Sequence, residues 1–281
     1  MTEVLGHDGY FVTICPVQDA YDRTPYKLSP AFSRGDIDAV LIYNYDTAVT
    51  QSLLDELRHD PGFAERPVVS LCGTLPDASN VITDDYQGAY ETTKHLLNLG
   101  HRSIMHFVTS FFGERLEQRL QGARQALQEH GVDPERHLHL FAIPDEWFST
   151  DIPCGFLDVN IFTQADKVIA APLPAYLRAH PDITAIMALN DASAQYTWHS
   201  LQHAGIRIPD EISIVGFDDT DPMLDSSGQN LLSSVRLPLI ELGKAAANLL
   251  VHRITKESTQ DENITLPVEL IIRKSIASVR Q

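Results

Sequence analysis

The chain is poor in cysteine, in basic residues and in long apolar runs, and each scarcity excludes something. Only three cysteines occur in 281 residues: Cys15, Cys72 and Cys154. An odd, widely spaced set does not build a disulfide framework and fits a reducing compartment. Lysine and arginine number 21 against 38 aspartates and glutamates, giving a formal net charge of −17. So acidic a chain repels a phosphate backbone, and no basic run or tandem-helix pattern offsets that repulsion. These residues are not expected to hold DNA by themselves. The start, MTEVLGHDGY, has neither the basic head nor the apolar centre of an export signal, and no apolar run approaches membrane-spanning length. The expected location is cytoplasmic.

Motifs of catalysis are missing as well. There is no Gly-x-Ser-x-Gly elbow, Cys-x-x-Cys pair or phosphate-cradling loop. His199 and His203 stand four apart, but Ser200, Leu201 and Gln202 between them lack the glutamate of a zinc-protease helix. They read as surface or core histidines, and the alternating His137 and His139 need no chemistry. Asp218, Asp219, Asp221 and Asp225 lack the spacing of a calcium loop. The reading is therefore not an enzyme, with no metal and no cofactor.

What is present is ordinary globular composition, 43% hydrophobic and 21% charged, in a chain long enough for one large or two medium lobes. Strands alternate with helices throughout. Residues 10–17, 39–44, 67–71 and 80–83 read as strands, with helices over 24–35 and 49–58. A second alternating set follows. It has a helix capped by Asp84 or Asp85 and ending at Gly100, a strand from His101 to Val108, a helix over 113–130 and a strand over 138–143. A helix is expected up to Arg178. Later come a strand over 232–235, a helix over 239–254 and a last extended segment over 264–272. This alternation predicts a doubly wound α/β architecture.

The stretch from Asp182 to Asp221 organises the rest. Residues 185–189 and 212–217 are short apolar runs without a helical face, suited to buried parallel strands, and a helix ending at Gly205 joins them. Polar residues gather just past each run: Asn190 and Asp191, then Asp218, Asp219 and Asp221. In open parallel sheets that edge holds small ligands. The residues alone leave Asn190 and Asp218 open between ligand contact and capping.

The segments TAIMALND and GIRIPDEISIVGFDD resemble the effector-binding domain of the lactose-repressor (LacI/GalR) family of bacterial transcription regulators. DDYQGAYETTKHLLNLGHRSI from Asp84, RLQGARQALQEHG from Arg119, LLSSVRLPLIELGKAAANLL from Leu231 and ELIIRKSIA from Glu269 agree with it. The resemblance covers most of the chain from Asp38 onward, and residues 9–17 match more weakly. It implies a periplasmic-binding-protein-like fold of two α/β lobes joined by three crossing strands. One lobe would take residues 1–83 and 237–265, the other 84–236 and 266–281. It also implies a buried strand and a helix-turn-helix segment ahead of the equivalent of Glu3, neither of which is in these residues. Either the chain is shorter than the natural product or the first lobe, with its first strand missing, is rebuilt.

The resemblance assigns a ligand-binding set: Asn44 from the first lobe, and Arg119, Trp147, Asn190 and Asp218 from the second. Arg119 can grip two vicinal oxygens with its fork. Trp147, with Phe148 as a rival in the same PDEWFST segment, can stack on a sugar or base. Phe111 and Phe112 are either cleft or core residues. Asp191 and Asp219 are expected to cap, and Arg115 to sit on a solvated face. Cys72 and Leu237 stand where related regulators often carry polar contacts, which suggests a less polar ligand on that side. The implied function is an effector-sensing and dimerising domain. A sugar, related polyol or nucleobase bound between the lobes would change their angle, and with it operator affinity, in a homodimer. The alternatives are a stand-alone periplasmic-type sugar receptor, disfavoured by the absence of an export signal, and an α/β enzyme, disfavoured by the absence of a nucleophile or metal set.

Overall fold

The computed structural model describes residues 2–13, 34–43, 47–108, 113–142, 172–257 and 260–279. Among them the order is α1 (Thr2–His7), β1 (Val40–Tyr43), α2 (Thr47–His59), β2 (Val68–Leu71), β3 (Ser79–Thr83), α3 (Asp85–Asn98) and β4 (Ser103–Val108). It continues with α4 (Gly113–Glu129), α5 (Pro134–His137), β5 (Leu138–Ala142), α6 (Pro172–Ala179), β6 (Ile183–Met187) and α7 (Asp191–His203). The last elements are β7 (Ser213–Asp218), β8 (Ser233–Arg236), α8 (Leu239–Ile254), β9 (Asn263–Leu266) and β10 (Glu269–Ile271).

The strands form two sheets. One is parallel throughout, in the order β1-β2-β3-β9; the other runs β10-β8-β7-β6-β4-β5 with only β10 antiparallel. The fold class is therefore α/β with doubly wound parallel sheets, as the alternation of strands and helices predicts. The chain divides into two compact units: Met1–Asp84, Phe111–Glu114 and Pro238–Pro267 make the first, and Asp85–Ser110, Arg115–Leu237 and Val268–Gln281 the second.

In the first unit the two-residue period of the strands sorts side chains to two faces. Val40 and Ile42 of β1 and Val68 of β2 pack with Leu54 and Leu57 of α2 and with Phe63. The alternate residues, Ala39, Leu41, Val69 and Leu71, pack with Leu242, Ala246, Leu249 and Leu250 of α8. A sheet covered on both faces is why these strands read as continuous apolar runs. In the second unit Ala185 and Met187 of β6, Ile104 of β4 and Val215 of β7 pack with Ala89, Leu96 and Leu97 of α3 and with Ala126 and Leu127 of α4.

Two expectations fail here. Residues 264–272 are not one extended segment but two strands in different sheets. Leu266 pairs with Thr83 and Leu270 with Val235. Pro267 lies between them, and without an N–H it cannot carry a ladder forward. Residues 10–13 are not in a strand; the rest of the expected strand to Val17, and the helix over 24–35 up to residue 33, lie outside the described residues. Gly35 itself is in a left-handed conformation, φ 73°.

Helices α3 and α4 approach closely enough to require a glycine. A Cβ on Gly122 would overlap the carbonyl oxygen of Tyr86 and sit 3.0 Å from the amide nitrogen of Tyr90, both backbone atoms of α3. Backbone cannot yield as a side chain can, so the helices must separate to admit a methyl group. Gly122→Ala should lower the unfolding free energy by about 1–3 kcal/mol, the usual cost of overpacking, despite the better helix propensity of alanine. Urea unfolding followed by circular dichroism checks this; a gain in stability would show that the helices can part freely.

Candidate functional site

The carboxyl ends of β6 and β7 lie side by side in the second unit, and residues at both ends meet one guanidinium. Arg119, on α4, is 1% exposed. Its Nε donates to Asp85 Oδ2 at 2.9 Å and its Nη1 to the Leu189 carbonyl at 2.7 Å. The same group lies over Phe217, its Cζ 3.4 Å from the ring centroid. Leu189 directly precedes Asn190 and Phe217 directly precedes Asp218, so Arg119 joins the two strand ends that carry both polar candidates. Burial pushes the Arg119 pKa down; Asp85, foremost, and Asp218 oppose that shift.

Asp218 ends β7 half-buried and in a left-handed backbone conformation, φ 98°. Burial raises its pKa, and the nearby guanidinium groups of Arg119 and Arg115 hold the rise back. Asn190 is the N-cap of α7. Its Oδ1 accepts from the Ser193 amide at 2.9 Å, and the Ser193 hydroxyl reciprocates at the Asn190 amide at 3.0 Å. The structure thus brings Arg119, Asn190 and Asp218 into one neighbourhood. Asn44 and Trp147, with Phe148, Phe111 and Phe112, lie outside the described residues.

Three assignments change. Asp191 is not the cap, because Asn190 takes that place. The Asp191 side chain, 1% exposed, accepts instead from the backbone amides of Thr220 at 2.7 Å and Asp221 at 3.3 Å, and from the Ser234 hydroxyl. Asp219 is not a cap either. Its carboxylate takes both nitrogens of Arg273, at 2.7 and 3.0 Å, and Nε of Arg236 at 2.8 Å. Burial alone would raise its pKa, but these two arginines outweigh burial and hold it low. Arg115 is not on a solvated face: 14% exposed, it donates to Asp85 Oδ2 at 3.0 Å. The first turn of α4 lies beside that of α3, and the carboxylate there draws it in.

Asp85, Phe217 and Asp191 all bear on the site and were not singled out for it in the sequence. Asp85 looks like a helix cap, Phe217 like core, and Asp191 like the cap its neighbour turned out to be. The one available signal was the doubled acid, Asn-Asp and Asp-Asp, at both strand ends. Cys72 and Leu237 are buried in separate apolar clusters, Cys72 against α8 and Leu237 with Phe217 and Val235. His199 and His203 are exposed. Among the described residues no group of three or more His, Cys, Asp or Glu is placed to hold a metal ion, and no helix is long and apolar enough to cross a membrane.

Parallel α/β units with polar groups gathered at strand ends are the architecture of the periplasmic-binding type, in which small ligands sit at the carboxyl edge of the sheet. Residues 93–276 match the family described as periplasmic binding protein-like domain, and residues 32–147 match periplasmic binding proteins and the sugar-binding domain of the LacI family. The chain belongs to this periplasmic-binding-protein-like family. It is similar to the HTH-type transcriptional regulator DegA of Bacillus subtilis, 30% identical over 69% of this chain and 51% of that protein. It is also similar to the HTH-type transcriptional repressor PurR of Aliivibrio salmonicida, 24% identical over 95% of this chain and 73% of that one. The chain thus spans about half the length of the first relative and about three quarters of the second. A LacI family regulator from Enterococcus faecium, solved with bound ribose, shares the fold: the TM-score is 0.69 with 24% identity, over 99% of this chain and 92% of that one.

Asp191 makes the site sensitive to pH. Burial raises its pKa to about 6, against the pull of the Ser234, Asp221 and Thr220 donors. An unfolded aspartate titrates near ~3.9, so the native state binds the extra proton between the two values. Its contribution to stability is therefore fully present below about pH 4 and is lost as pH rises through about 6. At about 1.4 kcal/mol per pH unit, that loss is at most about 3 kcal/mol. The wild-type unfolding free energy minus that of Asp191→Asn, from urea titrations, should fall by up to this amount between pH 4 and 7. A flat difference would refute it.

Proposed function

We propose that these residues sense a neutral hydroxylated small molecule, a sugar or related polyol, and that its binding alters the operator affinity of a transcription regulator. The observation that carries the ligand class is charge balance. Two cations, Arg115 and Arg119, meet two carboxylates, Asp85 and Asp218, in one partly buried cluster. Asp85 already engages both guanidinium groups, so the site does not present the uncompensated positive charge that a phosphate or carboxylate ligand needs. Hydroxyls, which donate to Asp218 and accept from an amide or guanidinium, fit it. The ribose-bound relative supports a sugar over a nucleobase.

In this reading Arg119, Asn190 and Asp218 contact the ligand, as do Asn44 and Trp147. The ligand acts by binding one of two conformations more tightly than the other; without that difference it could not signal. The protein is a cytoplasmic homodimer and not an enzyme. DNA contact falls to a helix-turn-helix segment and not to these acidic residues. The names of the relatives, both HTH-type regulators, favour this over a stand-alone sugar receptor.

A thermal-shift panel tests the proposal. D-ribose and other neutral monosaccharides and disaccharides are compared with their phosphates and with free nucleobases. A neutral sugar at about a hundred times its dissociation constant should add about 2.7 kcal/mol of apparent stability. Asp218→Ala should weaken that sugar by about 10- to 100-fold, the loss of one hydrogen bond to a charged group, while remaining folded. Stabilisation by phosphates alone would overturn the ligand class, and unchanged affinity of Asp218→Ala in calorimetry would remove Asp218 from the site.

A further inference from the structure

Asp218 and Asp219 are consecutive non-glycine residues with positive φ, 98° and 55°. Aspartate tolerates the left-handed region better than most residues, but 98° lies outside its usual range. Such a conformation persists only where its surroundings over-determine it. Two sets of contacts do so. Asp219 is clamped by Arg236 and Arg273, both to its own carboxylate. Directly after Asp219, the backbone of Thr220 and Asp221 is gripped from α7 by a single carboxylate oxygen, Asp191 Oδ2. Its second oxygen is fixed by Ser234 of β8. The fit is tight: Gly216 faces this carboxylate, and a Cβ there would overlap Asp191 Oδ1.

We propose that Asp191 is a positioning residue, a strut that holds the turn at 218–221 and with it the Asp218 carboxylate in the pose presented to the ligand. Its importance for binding rests on the reading of Asp218 as a ligand contact, but the strut itself does not. Two successive amides on one carboxylate oxygen form a charge-assisted pair, stronger than neutral hydrogen bonds. The pair ties the first turn of α7 to the end of β7, so the two strand ends that carry Asn190 and Asp218 move as one. The charged group facing Asp191 is Asp218 from the end of β7; Asp221 meets it through its backbone amide, and β8 contributes the uncharged Ser234.

The test uses the whole ligand-free chain, so its outcome is independent of whether any sugar binds. Carbon-13 titration of the Asp218 carboxyl and hydrogen exchange of single amides are compared between wild type and Asp191→Ala. With the strut removed, the Asp218 carboxyl should swing toward water and titrate nearer an ordinary aspartate. Exchange at Thr220 and Asp221 should rise roughly tenfold or more, while the amides of Ile214 and Val215 change little. Asp191→Asn, which keeps a carbonyl oxygen, should restore part of the protection. If Asp191→Ala does not fold, Ser234→Ala, which frees the other oxygen, should give the same pattern in weaker form. An unmoved Asp218 titration, or exchange raised evenly across the second unit, would overturn the proposal and leave Asp191 a packing residue.

Discussion

A guanidinium with almost no exposed surface is the constraint around which the second unit is arranged. Arg119 cannot shed its charge, and a buried charge without partners is prohibitively expensive. Every neighbour therefore has to answer it. Asp85 comes from the first turn of α3, the Leu189 carbonyl from the end of β6, and Phe217 offers its ring face from β7. Each partner sits on a different element. One side chain therefore fixes the relative heights of a helix and two strand ends, while its own helix is pressed to α3 through Gly122. Removing either member of such a pair would leave the other buried and uncompensated, which is why the arrangement is rigid rather than merely stable.

The same logic repeats around the end of β7 with the signs exchanged. There the buried charges are carboxylates: Asp191 satisfied by amides and a hydroxyl, Asp219 by two arginines. Beside these anchored residues Asp218 keeps an unusual backbone geometry and a largely buried carboxylate. The cost of that geometry is borne by its neighbours, whose carboxylates are held by amides, a hydroxyl and two arginines; on the proposed reading Asp218 is the member that meets a partner from solution. A carboxylate desolvated by burial and steadied by two arginines is well prepared to accept hydroxyl donors.

Much of the fold was legible in the sequence because its signals are local. Residues 239–254, with apolar positions at helical spacing, form α8 over that same span. The runs at 67–71 and 138–143 give β2 and β5 to within a residue. The break at Pro267 was missed because the apolar pattern continues through it, whereas the ladder does not. Asn190 and Asp218 stand out by their place just after apolar runs, whereas Arg119, well inside α4, is assigned only by the resemblance. Their partners do not stand out. Whether Asn190 or Asp191 caps a helix depends on which side chain finds donors elsewhere, and those of Asp191 lie 29 and 30 residues away at Thr220 and Asp221. Arg115 was misread for the same reason: nothing near it in sequence shows that Asp85 lies alongside.

The capping box at the start of α7 carries a stereochemical corollary. Because the Asn190 side-chain oxygen is turned to the Ser193 amide, the end of that side chain turned away from the helix is its NH2 group, which can only give hydrogen bonds. Asp218, ionised, can only receive them. A guest that bridges the two must therefore offer a lone pair at one end and a proton at the other. On the proposed reading these two atoms of fixed and opposite polarity set the direction in which a sugar's hydroxyls run across the site.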